Sequence, residues 1–255
     1  MAETKLRIGL VGASGRMGRR VAALLAEHPR AMLAASIERA VSPEAPDRAA
    51  ALARVDVVVD FSAPPACSAL LPLAVAHGRP YLVASTGLDA SARQIIDAAA
   101  RAVPVLVAEN LSIGVNVLVG IVEQTARLLG PEFDAEIVEL HHRHKRDAPS
   151  GTALVLAGAV ERARGPLLRV TERAASVEGR KSAELGLVSV RGGDAAGEHT
   201  VYFLGAGERL ELTHRAADAS IFAQGALRAA AWLAGQQPGL YRMGDVIVGM
   251  MRGGV

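Results

Sequence analysis

Leu6-Arg7-Ile8-Gly9-Leu10-Val11 runs without a break into Gly12-Ala13-Ser14-Gly15-Arg16-Met17-Gly18, and Arg16–His28 then reads as a helix. Glycine lacks a Cβ, so these three glycines allow a tight turn, close backbone approach to a phosphate and close packing of helix on strand. The helix N-terminus adds free N–H groups for the phosphate. The spacing is G-x-x-G-x-x-G rather than the commoner G-x-G-x-x-G, and alone it would be weak. Its strand–turn–helix setting is what a dinucleotide fingerprint requires. Glu38 follows the second strand, 20 residues after Gly18, where a carboxylate can accept from an adenosine ribose. Arg39 and Arg16 flank the same place and could meet a 2′-phosphate. Carrying both Glu38 and Arg39 predicts use of either NADH or NADPH. The bland alternative is a glycine turn that binds nothing, with Glu38 a solvated strand end.

The rest of the first 110 residues repeats that unit. Strands are expected at Met32–Ile37, Val55–Phe61, Tyr81–Ser85 and Val105–Ala108, and helices at Pro65–His77 and Ser91–Arg101. The strands are short apolar runs without strict alternation, as in a parallel sheet buried on both faces. Pro64-Pro65 and Ser91 serve as helix starts and Gly78 as a stop. The pattern then changes. Val115–Leu129 and Ser150–Arg164 read as helices. Ala135–His141, Leu185–Arg191, His199–Leu204 and Glu208–His214 read as strands, the last two joined through Gly205-Ala206-Gly207 as a hairpin. Ile221–Leu233 is a helix and Tyr241–Met251 a short terminal element. The expected fold is α/β: a Rossmann-type doubly wound parallel-sheet domain plus a second α+β domain with a mixed or antiparallel sheet.

Composition narrows the function classes. The 255 residues are 51% hydrophobic and 21% charged, which excludes a disordered chain. One Trp, three Tyr and four Phe are too few for a base-stacking surface. A net charge of +2 implies no global field for polyanions, so no nucleic-acid partner is expected. The single cysteine, Cys67, excludes an intramolecular disulfide and reads as a buried small residue. No uncharged apolar run of about 18 residues appears and Met1–Lys5 carries no apolar leader, so a soluble cytoplasmic protein without a membrane partner is expected.

The chemistry concentrates in His141-His142-Arg143-His144-Lys145-Arg146-Asp147-Ala148-Pro149-Ser150-Gly151-Thr152. Three of the seven histidines fall within four residues, at a strand end followed by a turn and a helix start. With Ser150 as N-cap, N–H groups near Gly151 and Thr152 face an anion. Imidazoles, an ammonium and a helix N-terminus together suit a small carboxylate-bearing ligand that must also receive a proton. Lys145 is one of only three lysines, and unlike arginine it can give up a proton. His142 and His144 could share a strand face for a metal, but no carboxylate partner is evident, so no metal site is expected. A nucleic-acid patch or an idle solvated loop are the other readings. His28, His77, His199 and His214 read as ordinary surface or sheet residues.

These stretches resemble the 4-hydroxy-tetrahydrodipicolinate reductase (dihydrodipicolinate reductase) family. The resemblance rests on Val11–Gly18, Glu38-Arg39, Asp60-Phe61-Ser62, Ser85-Thr86-Gly87 and Asn110–Asn116, and most specifically on the run from His141 to Thr152. Gly197-Glu198-His199-Thr200 and Glu208–His214 extend it over nearly the whole chain. It implies NAD(P)H-dependent reduction of a cyclic dicarboxylate in lysine and diaminopimelate biosynthesis, with hydride going to ring C4 and a proton to C3. It implies His141 as acid/base residue, Lys145 as proton donor, His142 as a substrate contact, and Gly151 and Thr152 as holders of a substrate carboxylate. Cofactor contacts would fall on Gly12, Ala13, Ser14, Gly15, Arg16, Met17, Glu38, Arg39, Ala84, Ser85, Thr86, Ala108, Glu109, Asn110 and Leu111. It further implies a dinucleotide-binding domain of residues 1–112 and 220–255, a substrate-binding and oligomerisation domain of 113–219, and a homotetramer.

The chain departs from the family pattern at Ala84-Ser85-Thr86-Gly87, where Gly-Thr-Thr-Gly is usual. It also departs at Leu111, at Asp218-Ala219 where Ser-Arg is usual, and in the short stretch 40–54. Two other readings compete with it. One is another two-domain NAD(P)-dependent amino-acid dehydrogenase, acting for example on aspartate or homoserine, which would not carry the His141–Thr152 run in this form. The other is a nucleotide-sensing regulator, which would not need His141 and Lys145.

Overall fold

The computed structural model describes residues 4–37, 48–174 and 179–253. Along the chain the elements are β1 (Leu6–Val11), α1 (Arg16–Glu27), β2 (Ala31–Ile37), α2 (Arg48–Ala53), β3 (Val57–Asp60), α3 (Pro64–Ala76), β4 (Tyr81–Val83), α4 (Ala90–Ala100), β5 (Pro104–Val107), α5 (Ile113–Leu129), β6 (Asp134–His141), α6 (Gly151–Arg164), β7 (Leu168–Val170), β8 (Glu184–Arg191), β9 (Glu198–Leu204), β10 (Arg209–Arg215), α7 (Ser220–Leu233), β11 (Gly239–Tyr241) and α8 (Met243–Met251). Contacts divide it into two compact units, Met1–Ile113 with Ser220–Val255, and Gly114–Ala219.

The first unit is built on a parallel sheet in the order β11-β5-β4-β3-β1-β2. Its central strands are mostly apolar because both faces are covered, the charged exceptions being Arg7 at the start of β1 and Asp60 at the end of β3. Ile8, Leu10, Val57, Val59, Leu82 and Leu106 pack with α1, α7 and α8 on one side. Val11, Val58, Tyr81, Val83 and Val105 pack with α2, α3 and α4 on the other, where Cys67 is fully buried. Full burial of a Leu or Val side chain stabilises by roughly 1.5–3 kcal/mol, so this two-sided core holds the strand ends in place.

The second unit carries a five-stranded sheet in the order β10-β9-β6-β8-β7. It is mixed: β6 runs parallel to β8 and antiparallel to β9, and β9–β10 is an antiparallel hairpin. Along β6, buried and half-buried residues alternate. One face packs on α5 and α6 through Leu118, Val122, Leu156 and Val160, among others. This is the alternation of a sheet covered on one side.

Several sequence expectations need correction. The six-residue helix α2 occupies part of the short stretch 40–54, where no element is expected, and β7 adds a strand to the expected set. The terminal element is a strand and a helix, since Pro238-Gly239 starts β11 before Arg242 caps α8. Asp89, not Ser91, caps α4, accepting from the Ala92 N–H at 2.8 Å. Ile113–Glu132 is long and apolar enough to cross a membrane by length and composition, although Glu123, Arg127 and Glu132 interrupt it, so no uncharged run of about 18 residues occurs in it. Its Leu118, Val122 and Ala126 belong to the second core, its Glu123 pairs with Arg127 and Arg162, and its Val117, Ile121 and Leu128 are exposed.

Candidate active site

In the first unit, β1 enters the glycine turn and α1 leaves it. Gly12 has φ +75°, and a Cβ there would lie 3.3 Å from the Phe61 carbonyl oxygen. A Cβ on Gly18 would lie 2.1 Å from the Gly12 carbonyl oxygen and 2.7 Å from Ala13 Cα, both backbone atoms. The Gly15 N–H donates to the Gly12 carbonyl at 3.0 Å. Gly15 is the N-cap of α1, no side chain caps it, and the first turn holds no acidic residue. The result is a backbone cradle at a helix N-terminus, with the Arg19 guanidinium donating to the Ser14 carbonyl at 2.7 Å, which fits a pyrophosphate.

Other expected cofactor residues share the carboxyl edge of the same sheet. The Ala84 N–H donates to the Asp60 carbonyl and the Ala108 N–H to the Val83 carbonyl, at 2.9 and 3.0 Å. Ser85 is buried with its hydroxyl unpartnered among the described residues. Leu111 is buried, and Gly225 of α7 packs so closely that a Cβ there would meet the Leu111 carbonyl oxygen at 1.8 Å. Asn110 accepts from the Ser112 N–H at 2.9 Å. Ser14, Arg16, Thr86 and Glu109 are exposed, and Ala13 and Met17 are half-buried beside the core. Glu38 and Arg39 lie outside the described residues.

Behind the turn is a buried group built on Asp60, from the Asp60-Phe61-Ser62 stretch that carries part of the resemblance. Asp60 accepts from the Tyr81 hydroxyl at 2.6 Å and the Ser62 N–H at 2.7 Å. Burial raises its pKa and pushes the neighbouring Cys67 thiol up to about 12. Asp60 thereby fixes the Phe61-Ser62 bend against which Gly12 rests.

In the second unit, period-two alternation puts Glu139 and His141 on the buried face of β6. His141 Nδ1 lies 2.5 Å from Glu139 Oε2. Arg191 of β8, the register partner of His141, grips both Glu139 oxygens at 2.7 Å. The third partner is the Ser150 N–H, at 3.1 Å from Oε1. Burial opposes ionisation of Glu139, but Arg191 foremost, then Ser189 and His141, outweigh it and hold the carboxyl down at about 2. An ionised carboxylate only accepts, so Nδ1 of His141 carries the proton. Burial lowers the pKa of His141 against the pull of Glu139, which keeps the ring neutral with its lone pair on Nε2.

Ser150 caps α6, its hydroxyl accepting from the Ala153 N–H at 3.2 Å. The same hydroxyl lies 3.0 Å from Nε2 of His199. His199 is buried, edge-on to His141 with ring centres 5.1 Å apart, and burial lowers its pKa to about 4. Its reading as an ordinary residue is therefore corrected: it belongs to this cluster. Half-buried His214 pairs with it across β9–β10. Gly151 and Thr152 form the first turn of α6, with open space where a Gly151 side chain would stand. Lys145 Nζ pairs with Asp147 at 2.8 Å. His142 accepts from the His144 N–H at 3.2 Å and lines an open pocket of about 690 Å³ with Arg143, His144, Gly193 and Asp194. One end of this unit therefore gathers His141, His142, Lys145, Gly151 and Thr152, with Glu139, Arg191 and His199 beneath them.

Comparison with known proteins agrees with both halves. Residues 6–111 match the family model described as dihydrodipicolinate reductase, N-terminus, and residues 114–247 match that for the C-terminus. The chain is 46% identical over 253 residues to the 4-hydroxy-tetrahydrodipicolinate reductase of Wolinella succinogenes, covering 94% of this chain and 98% of that one. It is 41% identical to the enzyme of the same name from Zymomonas mobilis, covering 96% and 98%. Among solved structures it resembles the dipicolinate-bound dihydrodipicolinate reductase of Paenisporosarcina sp. TG-14, with a TM-score of 0.78 at 21% identity, over 94% of this chain and 98% of that one.

Proposed function

The chain belongs to the dihydrodipicolinate reductase family, and from that premise we propose how its residues carry the reaction. It is an NAD(P)H-dependent oxidoreductase that reduces 4-hydroxy-tetrahydrodipicolinate to tetrahydrodipicolinate in lysine and diaminopimelate biosynthesis. Overall the ring gains one hydride and one proton and loses water.

Residues 1–112 with 220–255 hold NADPH or NADH. Gly12 to Met17 wrap the pyrophosphate, Glu38 and Arg39 meet the adenosine ribose, and Ala84 to Thr86 and Ala108 to Leu111 meet the rest of the cofactor. When bound, the reduced nicotinamide supplies the hydride that reaches ring C4. Residues 113–219 hold the dicarboxylate. Gly151 and Thr152 grip one carboxylate at the start of α6, where N–H groups and the helix dipole favour an anion. His142 touches the ring. Lys145 donates the proton to C3, and His141 handles a proton at Nε2. The observation that carries this division is the neutral His141 ring, with Nδ1 bound to an ionised Glu139. A neutral imidazole so held accepts through Nε2, which leaves the Lys145 ammonium as the donor.

We place the enzyme in the cytoplasm, where its reduced nucleotide is made, and read it as a homotetramer. Val188 and Val190 stand exposed on the sheet face away from α6, which supports assembly there. Titrating pyridine-2,6-dicarboxylate into the full chain with NADH tests the substrate site. Saturable binding, weakened roughly 10-fold by Thr152→Ala or Lys145→Ala, is expected. No saturable binding, or binding indifferent to both changes, would overturn the assignment.

A further inference from the structure

Beneath the substrate residues, Glu139 has been used so far only as the partner of His141, yet it also binds Arg191 and the Ser150 N–H. Glu139 is 1% exposed and uses both oxygens four ways: on His141 Nδ1, on two Arg191 nitrogens and on the Ser150 N–H. His141 is the proton-handling residue, and Ser150 is the N-cap whose helix receives the carboxylate. We propose that Glu139 is a positioning residue shared by both: it fixes His141 as the Nδ1–H tautomer and anchors the start of α6, so one buried carboxylate sets the proton site and the anion site in register.

The surrounding groups agree with this role. Arg191 is held from behind, donating also to the Asp147 and Val190 carbonyls at 2.7 and 2.8 Å, so the clamp on Glu139 does not swing. His199, which faces Glu139 across β6–β9, takes the Ser150 hydroxyl and braces the same N-cap from the other side. The remaining charged or titratable neighbours are Lys145 and Asp147 in the loop and His214 on β10. A carboxylate behind an imidazole selects the tautomer and fixes ring orientation. Here the same carboxylate also fixes a helix terminus.

The inference deepens the functional reading and rests on it, so its test includes a measurement that does not need turnover. Two-bond ¹H–¹⁵N spectra of the full chain near pH 7 should show His141 protonated at Nδ1 and bare at Nε2. A His141 protonated at Nε2 in the unmodified protein overturns the proposal whether or not any variant folds. In Glu139→Gln the tautomer should become mixed, kcat should fall roughly 10-fold or more, and the acidic limb of the pH–rate profile should move. The Kd for pyridine-2,6-dicarboxylate should rise several-fold in the same protein. Glu139→Asp, which keeps the charge, should recover part of the tautomer preference and of kcat. A folded Glu139→Gln protein with the original tautomer, kcat and Kd overturns the proposal. An unmodified protein that shows the expected tautomer but no turnover sinks the reductase reading instead.

Discussion

A methyl group on Gly197 would stand 2.9 Å from Nε2 of His141 and 3.2 Å from its Cδ2. Gly197 has φ +152°, a conformation almost reserved for glycine. The nitrogen left free by Glu139 is thus the one that a side chain at 197 would cover. Gly197→Ala should lower kcat roughly 10-fold or more and destabilise the second unit by about 1–3 kcal/mol. Steady-state kinetics with thermal unfolding would check this, and an unchanged kcat would mean that Nε2 need not be open.

Gly18 has a different task. Its Cβ would collide with backbone atoms of Gly12 and Ala13, which cannot rotate away. Gly18→Ala must push α1 off the turn, with a cost of about 1–3 kcal/mol expected for such overpacking. NADPH affinity, read by fluorescence titration, should drop by roughly 10-fold or more. Retained affinity and melting temperature would show that the cradle tolerates a wider gap.

Lys145 is assigned the donated proton. Lys145→Ala should lower kcat roughly 100-fold or more. Lys145→Arg keeps a cation but holds its proton too tightly, so it should preserve KM better than kcat. A kcat near that of the unmodified enzyme in either variant would remove Lys145 from the chemistry.

The buried cluster also predicts acid sensitivity. The pKa of His199 falls on folding from 6.5 to about 4, first through burial and then through His141. The unfolded chain therefore binds the extra proton between those values, and stability is full above pH 6.5 and lost as pH falls toward 4. The contribution is at most about 3 kcal/mol. Glu139, depressed from 4.5 to about 2, continues the loss from pH 4.5 downward. Denaturant titrations from pH 7.5 to 4 should show this slope. His199→Gln should flatten its upper part, and an equally steep slope in that variant would contradict the account.

The sequence made much of this legible, and what it missed has a common cause. β1 and the glycine turn were readable because their signals are contiguous: an apolar run, three glycines, a helix. Ser150 was readable as an N-cap for the same reason. Glu139 offered a usable sign, since period two puts it with His141, Ile137 and Ala135 on one face, and a carboxylate on an apolar face needs partners. Its partner Arg191 lies 52 residues away, reached only through the β6–β8 register. His199 meets Ser150 across 49 residues. Asp60 and Tyr81 meet by a pairing of neighbouring strands. None of these pairings leaves a local pattern. The elements β7 and β11, three residues each, are too short to show a period.

The reaction assigned to this chain is reduction of a cyclic dicarboxylate precursor at the expense of NAD(P)H. The most direct measurement follows NAD(P)H absorbance while the substrate is generated in place from pyruvate and aspartate semialdehyde by a coupling enzyme. Oxidation of the nucleotide should need both precursors, saturate with enzyme-generated substrate and fall about 100-fold in Lys145→Ala. Well-folded protein that binds the nucleotide but leaves the absorbance unchanged would contradict it.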